Sequence, residues 1–345
     1  MKRLLSSVTA GVLLATTCTS ASAQAPAATQ VPVTADNFIR AETDRYFGTV
    51  AKAGGFGKIF HRRELSAVSH QTVVRANRDT LYSTLLVDLD AGPVTITLPD
   101  AGKRYRAMLV VTEDHYMPMI FHDAGSHTFT REQIGTRYAL FAFRTLVDPN
   151  DPADVREAHT VQDGVKVSQP GGPGRLELPN WDPVSLKKVR DALIALNTTL
   201  PDLRNASGPK GQVDPVRHLI ATASAWGLNP DKEAIYLNVT PKRNDGKTVH
   251  RLNVKEVPVD SFWSVMAYNA DGYIAPNALN VYNLNNLTAA KGADGSVTIQ
   301  FGGCDGKIPN CIPIVKDWNY MVRLYRPRAE ILNDTWKFPE AQAMN

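Results

Sequence analysis

Short runs of alternating or β-branched residues recur along this chain, and a few stretches of helical period interrupt them. The clearest runs lie towards the C-terminal end, at 262–268, 296–301 and 320–325, with a weaker one at 329–332. Asp271-Gly272, Asp294-Gly295 and Asp305-Gly306 punctuate this region, and such dipeptides favour tight turns. The pattern predicts an antiparallel β module, led into by runs at 235–239 and 249–254. In the first half, runs at 81–89, 94–98 and 105–112 follow one another across short turns. They read as a three-stranded meander. Residues 117–121 and 127–129 read as a hairpin around Gly125, and 137–146 as a further strand.

The helical stretches carry their own start and stop signals. Thr34 can cap a helix running to about Ala53, stopped by Gly54, Gly55 and Gly57. The Asp148-Pro-Asn-Asp-Pro152 segment breaks the chain and can cap a short helix at 153–159. Asp182-Pro183 opens a helix with Leu186, Val189, Leu193, Leu196 and Leu200 on one stripe. Asp214-Pro215 opens another over 216–226, closed by Gly227. The expected fold is mainly β, in the α+β class: two antiparallel β-sandwich-like modules with an intervening helical segment. The expected divisions are a β-rich domain at 34–167, a linker and helical segment at 168–230, and a C-terminal β domain at 231–345.

The first residues have another purpose. Lys2 and Arg3 form a basic start, 4–15 is a short apolar stretch, and Ala21-Ser22-Ala23 is a small-residue cleavage site. A membrane span needs roughly 20 apolar residues, and Thr16, Thr17, Thr19 and Ser20 interrupt this one too early. The reading is a cleaved signal peptide, 1–23, and a periplasmic or secreted product. Residues 24–33, rich in Ala, Pro, Gln and Thr, read as a disordered N-terminus.

Loss of Lys2 and Arg3 lowers the formal charge from +4 to +2, which is no footprint of a nucleic-acid binder. Of three cysteines, Cys18 leaves with the signal. Cys304 and Cys311 remain, in an exported chain where disulfides persist, and they read as a structural bridge. No phosphate-cradling glycine loop, nucleophile elbow or His-Glu-x-x-His zinc motif is present, so no cofactor is expected.

Two groups of motifs resemble known families. Asn77-Arg-Asp-Thr-Leu-Tyr82, with Asp90-Ala-Gly-Pro-Val-Thr-Ile-Thr-Leu-Pro99, resembles domain of unknown function 1254. Phe262-Trp-Ser-Val265, with Asp294-Gly-Ser296, Trp318, Arg323-Leu-Tyr-Arg-Pro327 and Thr335-Trp336, resembles domain of unknown function 1214. The resemblance implies a β-rich, two-domain exported protein and no settled reaction. Many members carry Asn-Arg-Tyr-Ser in the second domain. Here the corresponding stretch is Asn280-Val-Tyr-Asn283, so a site built on that arginine does not carry over.

The candidate site joins two polar clusters, each at a strand end of the expected meander. Asn77, Arg78, Asp79 and Tyr82 form a ligand-binding set in which Arg78 can hold an anion through two parallel hydrogen bonds. His115 with Glu113 or Asp114 forms a catalytic pair, because a carboxylate orients an imidazole and raises its basicity. If the clusters share one opening, they suit cofactor-independent hydrolysis. The alternatives are a non-catalytic binder of a small anionic molecule or glycan, and an assembly module that forms homo-oligomers. His115, His122 and His127 lack the close spacing of a metal site, and no metal is expected. Asp148, Asn150, Asp151 and Asp154 mimic a calcium loop, but Ala153 and His159 stand where glycine and glutamate are required. Ser185 and Lys188 fit a Ser-x-x-Lys pattern on a helical first turn, where serine is ordinary. The export reading has a direct check. Intact-mass analysis of protein secreted by a bacterial host is expected to give a chain that starts at Gln24.

Overall fold

The computed structural model describes residues 29–71 and 73–344. The signal-peptide reading falls outside the described residues. Among these, no helix is long and apolar enough to cross a membrane.

The elements in order are α1 (Phe38–Lys52), β1 (Phe60–His61), β2 (Thr80–Asp88), β3 (Val94–Leu98), β4 (Arg106–Thr112), β5 (Ile120–Phe121), β6 (Gly125–Phe129), α2 (Arg131–Ile134), β7 (Tyr138–Leu146), α3 (Pro152–Asp163) and β8 (Lys166–Ser168). Then come α4 (Pro183–Asn197), α5 (Pro215–Ser224), β9 (Ala234–Val239), β10 (His250–Val254), β11 (Trp263–Tyr268), β12 (Asn283–Asn285), β13 (Val297–Phe301), β14 (Cys311–Ile312), β15 (Asn319–Tyr325), α6 (Ala329–Leu332) and β16 (Gln342–Ala343). The fold is mainly β, in the α+β class, as expected.

Two strands of the first half depart from the expected meander. The five-stranded sheet runs β1-β2-β7-β4-β5, so β7 separates β2 from β4. β3 leaves for a second sheet, β6-β3-β8, which packs face to face on the first. Leu85, Val87, Met108, Val110, Phe141 and Phe143 meet Val94, Ile96, Leu98 and Phe129 between the two sheets. The expected hairpin around Gly125 is absent for the same reason: β5 pairs with β4, and β6 pairs with β3. The other face of the first sheet, through Leu86, Leu109, Val111, Tyr138 and Leu140, packs on Phe47 of α1 and on Trp226. Period-2 alternation gives each strand both faces to bury.

Sheets β12-β11-β15-β9 and β14-β13-β10-β16 form the second sandwich. Val265, Val322 and Leu324 of one sheet meet Leu252, Ile299 and Phe301 of the other. The run at 329–332, expected as a weak strand, is the one-turn helix α6 beginning after Arg328. The helix caps follow the sequence: Asp151, Asp182 and Asp214 each accept backbone N–H groups at a helix start with proline inside. The calcium-like loop is such a cap and turn. Asp148 accepts from Asn150 N, and Asp151 accepts from Ala153 N. Ser185 Oγ accepts from Val33 N, which assigns it to structure.

Cys304 and Cys311 form a disulfide, Sγ–Sγ 2.07 Å, across a sequence separation of 7 residues. Loop-closure entropy gives such a bridge about 2.5 kcal/mol. The Cys304→Ser, Cys311→Ser double variant is expected to lose about that much unfolding free energy, read from urea melts under oxidising conditions.

Candidate functional site

The two predicted clusters lie at opposite ends of one sheet. β2 and β4 each pair antiparallel with β7, so they run in the same direction. Thr80, at the start of β2, pairs with Leu146, whereas Thr112, at the end of β4, pairs with Ala139. Seven residues of β7 separate those levels, or about 23 Å at 3.3 Å per residue. Arg78 and His115 therefore share no opening.

The end that carries His115 is a packed helix–sheet contact. His115 has φ +60° in a turn, which sends its ring under α5 and away from its acidic neighbours. Its Nε2 accepts a hydrogen bond from Gly227 N (2.9 Å). The proton must then sit on Nδ1, which faces Thr222 Oγ1 at 2.8 Å, and that hydroxyl donates onward to His218 O. Burial, and then the neighbouring His218, hold the His115 pKa well below the usual histidine value. Its lone pair is occupied, so the general-base assignment is corrected to a structural one. Glu113 accepts from Tyr138 N (3.2 Å), and Asp114 accepts from Arg40 (2.6 Å). Neither carboxylate orients His115. Beside them, burial pushes Asp44 up to about 7, against a bond from Trp181 Nε1 that lowers it.

The other predicted cluster meets the second sandwich. One face of β15 presents Asn319, Met321, Arg323 and Tyr325, because its even-numbered residues face the sandwich core. The register sets Arg323 beside Tyr236 of β9 and Ser264 of β11. Against this polar row sits the turn before β2. Asp79, fully buried, accepts from Ser264 Oγ (2.6 Å) and Asn283 Nδ2 (2.9 Å). Burial raises its pKa, and Arg323 opposes that rise. Asn77 Nδ2 donates to Tyr325 OH (2.8 Å) and Tyr82 OH (3.3 Å), while its Oδ1 accepts from Asp79 N. Arg78 stands apart. It donates to Ser66 O and lies 5.3 Å over the Tyr282 ring, and no carboxylate among the described residues pairs with it.

Sequence reasoning missed the centre of this junction. Arg144, on β7 opposite Tyr82, is 8% exposed; its Nη2 donates to Gly227 O (3.1 Å) and its Nη1 has no hydrogen-bond partner among the described residues. Its charge interacts with the phenols of Tyr82, Tyr236, Tyr105 and Tyr325. Arg323, 2% exposed, spends Nη2 on Tyr268 OH (2.7 Å) and Arg75 O (2.8 Å) and leaves Nη1 without a hydrogen-bond partner among the described residues. Tyr105 OH and Asn229 Oδ1 are also buried without partners among the described residues. Burial raises the pKa of Tyr105, Tyr236 and Tyr325. Burial pushes Tyr82 the same way, but Arg144 and other donors outweigh it and the net shift is downward. Phe262 stacks on Tyr325 at 4.1 Å and closes one wall. The signal was present: each arginine interrupts an otherwise apolar strand, and a buried charge is what such a position announces.

Residues 56–130 match the family described as Protein of unknown function (DUF1254), and residues 234–329 match Protein of unknown function (DUF1214). Both matches fall on the segments that carry the motif resemblances. No curated protein matches it. The fold is similar to that of the VPA0106 protein from Vibrio parahaemolyticus, with 17% identity, 90% of this chain and 98% of that chain covered, and a TM-score of 0.68. An uncharacterised protein from Burkholderia cenocepacia is also similar, with 12% identity, 90% and 88% coverage, and a TM-score of 0.50. At these identities the likeness is one of fold. Asp79 and Tyr82 belong to the DUF1254 segment, and Ser264 and Arg323 to the DUF1214 segment. Arg144 and Asn229 lie between the two.

The His115 network carries a pH signature. The unfolded chain binds a proton at this histidine below about pH 6.5, whereas the folded chain does so only at lower pH. The contribution is thus undiminished above pH 6.5 and is lost as pH falls, at up to about 1.4 kcal/mol per pH unit. Asp44 acts in the opposite sense, so the measurement is a comparison. The stability difference between the parent chain and His115→Gln, from urea melts at pH 7.5, 6 and 5, is expected to shrink as pH falls.

Proposed function

We propose that the junction between the two β modules is the functional site, and that it binds a small molecule bearing a carboxylate or another oxyanion. One observation carries this reading: Arg144 and Arg323 are both buried, and each leaves Nη1 without a partner among the described residues, with phenols nearby. Among the described residues, neither arginine is held in a salt bridge to a carboxylate. A buried guanidinium costs several kcal/mol unless an anion or several acceptors compensate it. An oxyanion accepts from Arg144, Arg323 and the phenolic hydroxyls together, and such charge-assisted bonds are the strong ones. Tyr82 and Tyr236 keep part of their surface exposed, which supports access from solvent. The polar groups Asn77, Asp79 and Tyr82 act here by fixing the cluster between modules at 34–167 and 231–345, with 168–230 bridging them. A non-catalytic binder fits better than a hydrolase, because the base proposed for hydrolysis is already hydrogen-bonded elsewhere. Export to the periplasm or beyond suits a protein that captures small molecules there, and the disulfide is compatible with it.

The test is a thermal-shift screen of the mature chain against phosphate and a series of small mono- and dicarboxylates. A ligand held at 100 times its Kd adds about 2.7 kcal/mol, which raises Tm by a few degrees. Arg144→Met is expected to leave the ligand-free Tm unchanged or higher, since it removes an unpaired buried charge, and to abolish the ligand response. Failure of every oxyanion to shift the parent chain would remove the proposal.

A further inference from the structure

Arg144 Nη1 is sealed from solvent as well as unpartnered among the described residues, so whatever reaches it must first displace its cover. That cover is short. α5 ends at Ser224, and the chain then turns through Ala225, Trp226, Gly227 and Leu228 to Asn229. Gly227 and Leu228 keep part of their surface exposed, whereas the guanidinium that bonds Gly227 O is buried, so the turn lies on the solvent side of Arg144. Both ends of the turn are anchored. Trp226 stacks on Tyr46 of α1 at 4.1 Å, and its Nε1 donates to Thr43 Oγ1 (3.2 Å). Asn229 is buried, and its Nδ2 donates to Tyr236 OH (3.1 Å). Between these anchors three side chains hold the backbone from outside. Gly227 N donates to His115 Nε2 (2.9 Å), Gly227 O accepts from Arg144 Nη2 (3.1 Å), and Leu228 O accepts from Ser207 Oγ (2.6 Å). None of the three bonds belongs to a helix or a sheet ladder.

We infer that Gly227 and Leu228 form a lid over Arg144, and that His115 and Ser207 are the latches that hold it shut. What the lid admits rests on the junction reading; the lid itself rests on the bonds just described. Local opening is drawn from segments with few ladder bonds and part of their backbone at the surface, and this turn is such a segment. Glycine at φ +78° supplies the backbone freedom. Among the described residues nothing lies within 4 Å of where a Cβ on Gly227 would stand, so the turn has room to move on that side. Lifting it also changes the chemistry of Arg144. In the closed state Nη2 is spent on Gly227 O. In the open state Nη1 and Nη2 are both free, which is the fork that receives a carboxylate or another oxyanion through two parallel bonds. The anion then takes the place of the carbonyl that the guanidinium gave up. His115, too well bonded to act as a base, has the role of holding that carbonyl in place through the N–H of the same residue.

Access to Arg144 can be read without any ligand. The mature chain is treated with phenylglyoxal, which modifies exposed guanidinium groups, and the initial rate at each arginine is followed by peptide mass spectrometry. His115→Leu removes the acceptor of Gly227 N, and Ser207→Ala removes the donor to Leu228 O. Each is expected to raise the rate at Arg144 about fivefold or more, because one bond of the closed state is lost. Arg323, away from the turn, is expected to stay within about twofold of its parent rate, since only a local opening is eased. His115→Gln, whose side-chain carbonyl can accept from Gly227 N, is expected to keep Arg144 within about twofold of the parent. The inference is overturned by an unchanged Arg144 rate in Ser207→Ala or in a folded His115→Leu chain. It is equally overturned by a parallel rise at Arg323, which marks global loosening, or by a Gln variant as fast as the Leu variant. If His115→Leu does not fold, Ser207→Ala decides alone. The junction reading is judged separately, by whether phosphate or a small carboxylate protects Arg144 from the reagent.

Discussion

Two guanidinium groups lie in the seam between two β sandwiches, and the arrangement of that seam follows from what it takes to keep them there. A buried charge must be surrounded by groups that replace water, or it is expelled. Arg323 is met by a phenol and a backbone carbonyl, with Asp79 close enough to act on it through space. Arg144 is met by a carbonyl, with four tyrosines close enough to act on it through space. Each module brings one arginine and part of the other's surroundings. The packing of the modules and the electrostatics of the seam are therefore one property, and a change there perturbs both.

This also explains why so many polar side chains of the second sheet face inwards. In a free-standing sandwich the outer face of β12-β11-β15-β9 would meet water, and Ser264, Asn283 and Arg323 would be ordinary surface residues. The turn before β2 covers that face and inserts Asp79 and Asn77 into it. Every bond they make across the seam replaces one to water. The net gain per bond is about 1 kcal/mol, but an unmade bond costs more, so the fit is demanding. The helical segment contributes from the side through Gly227 and Asn229, which end the turn after α5.

His115 illustrates how a catalytic-looking motif becomes structural. A histidine flanked by two acids invites a general-base reading, because adjacency in sequence suggests adjacency in space. The left-handed backbone at His115 breaks that link. Its ring leaves the acids and joins α5, where a backbone N–H occupies one nitrogen and a threonine hydroxyl faces the other. Glu113 and Asp114 turn to Tyr138 and Arg40. The three make useful contacts, none of them with each other.

Local rules made most of the elements legible. The alternation at 94–98 and 137–146, the aspartate-proline helix starts and the glycine after α5 all act within a few residues, so the chain itself displays them. The cysteine pair and the family motifs were equally readable. Strand order was not. β2 pairs with β7 over separations that run from Asp88 with Tyr138 to Thr80 with Leu146, and no local signal reports a partner so distant. That single insertion created the seat for Arg144, while the placing of Arg78 and His115 at opposite ends follows from β2 and β4 running in the same direction, as they would in the expected meander too. Asn77, Asp79 and Tyr82 were identifiable as a polar cluster from sequence, because a turn rich in such residues precedes an apolar strand. That their partners are Ser264, Asn283 and Tyr325 was decided only when the two halves of the chain packed together, since register and contact between modules are set by complementary surfaces that neither half possesses alone.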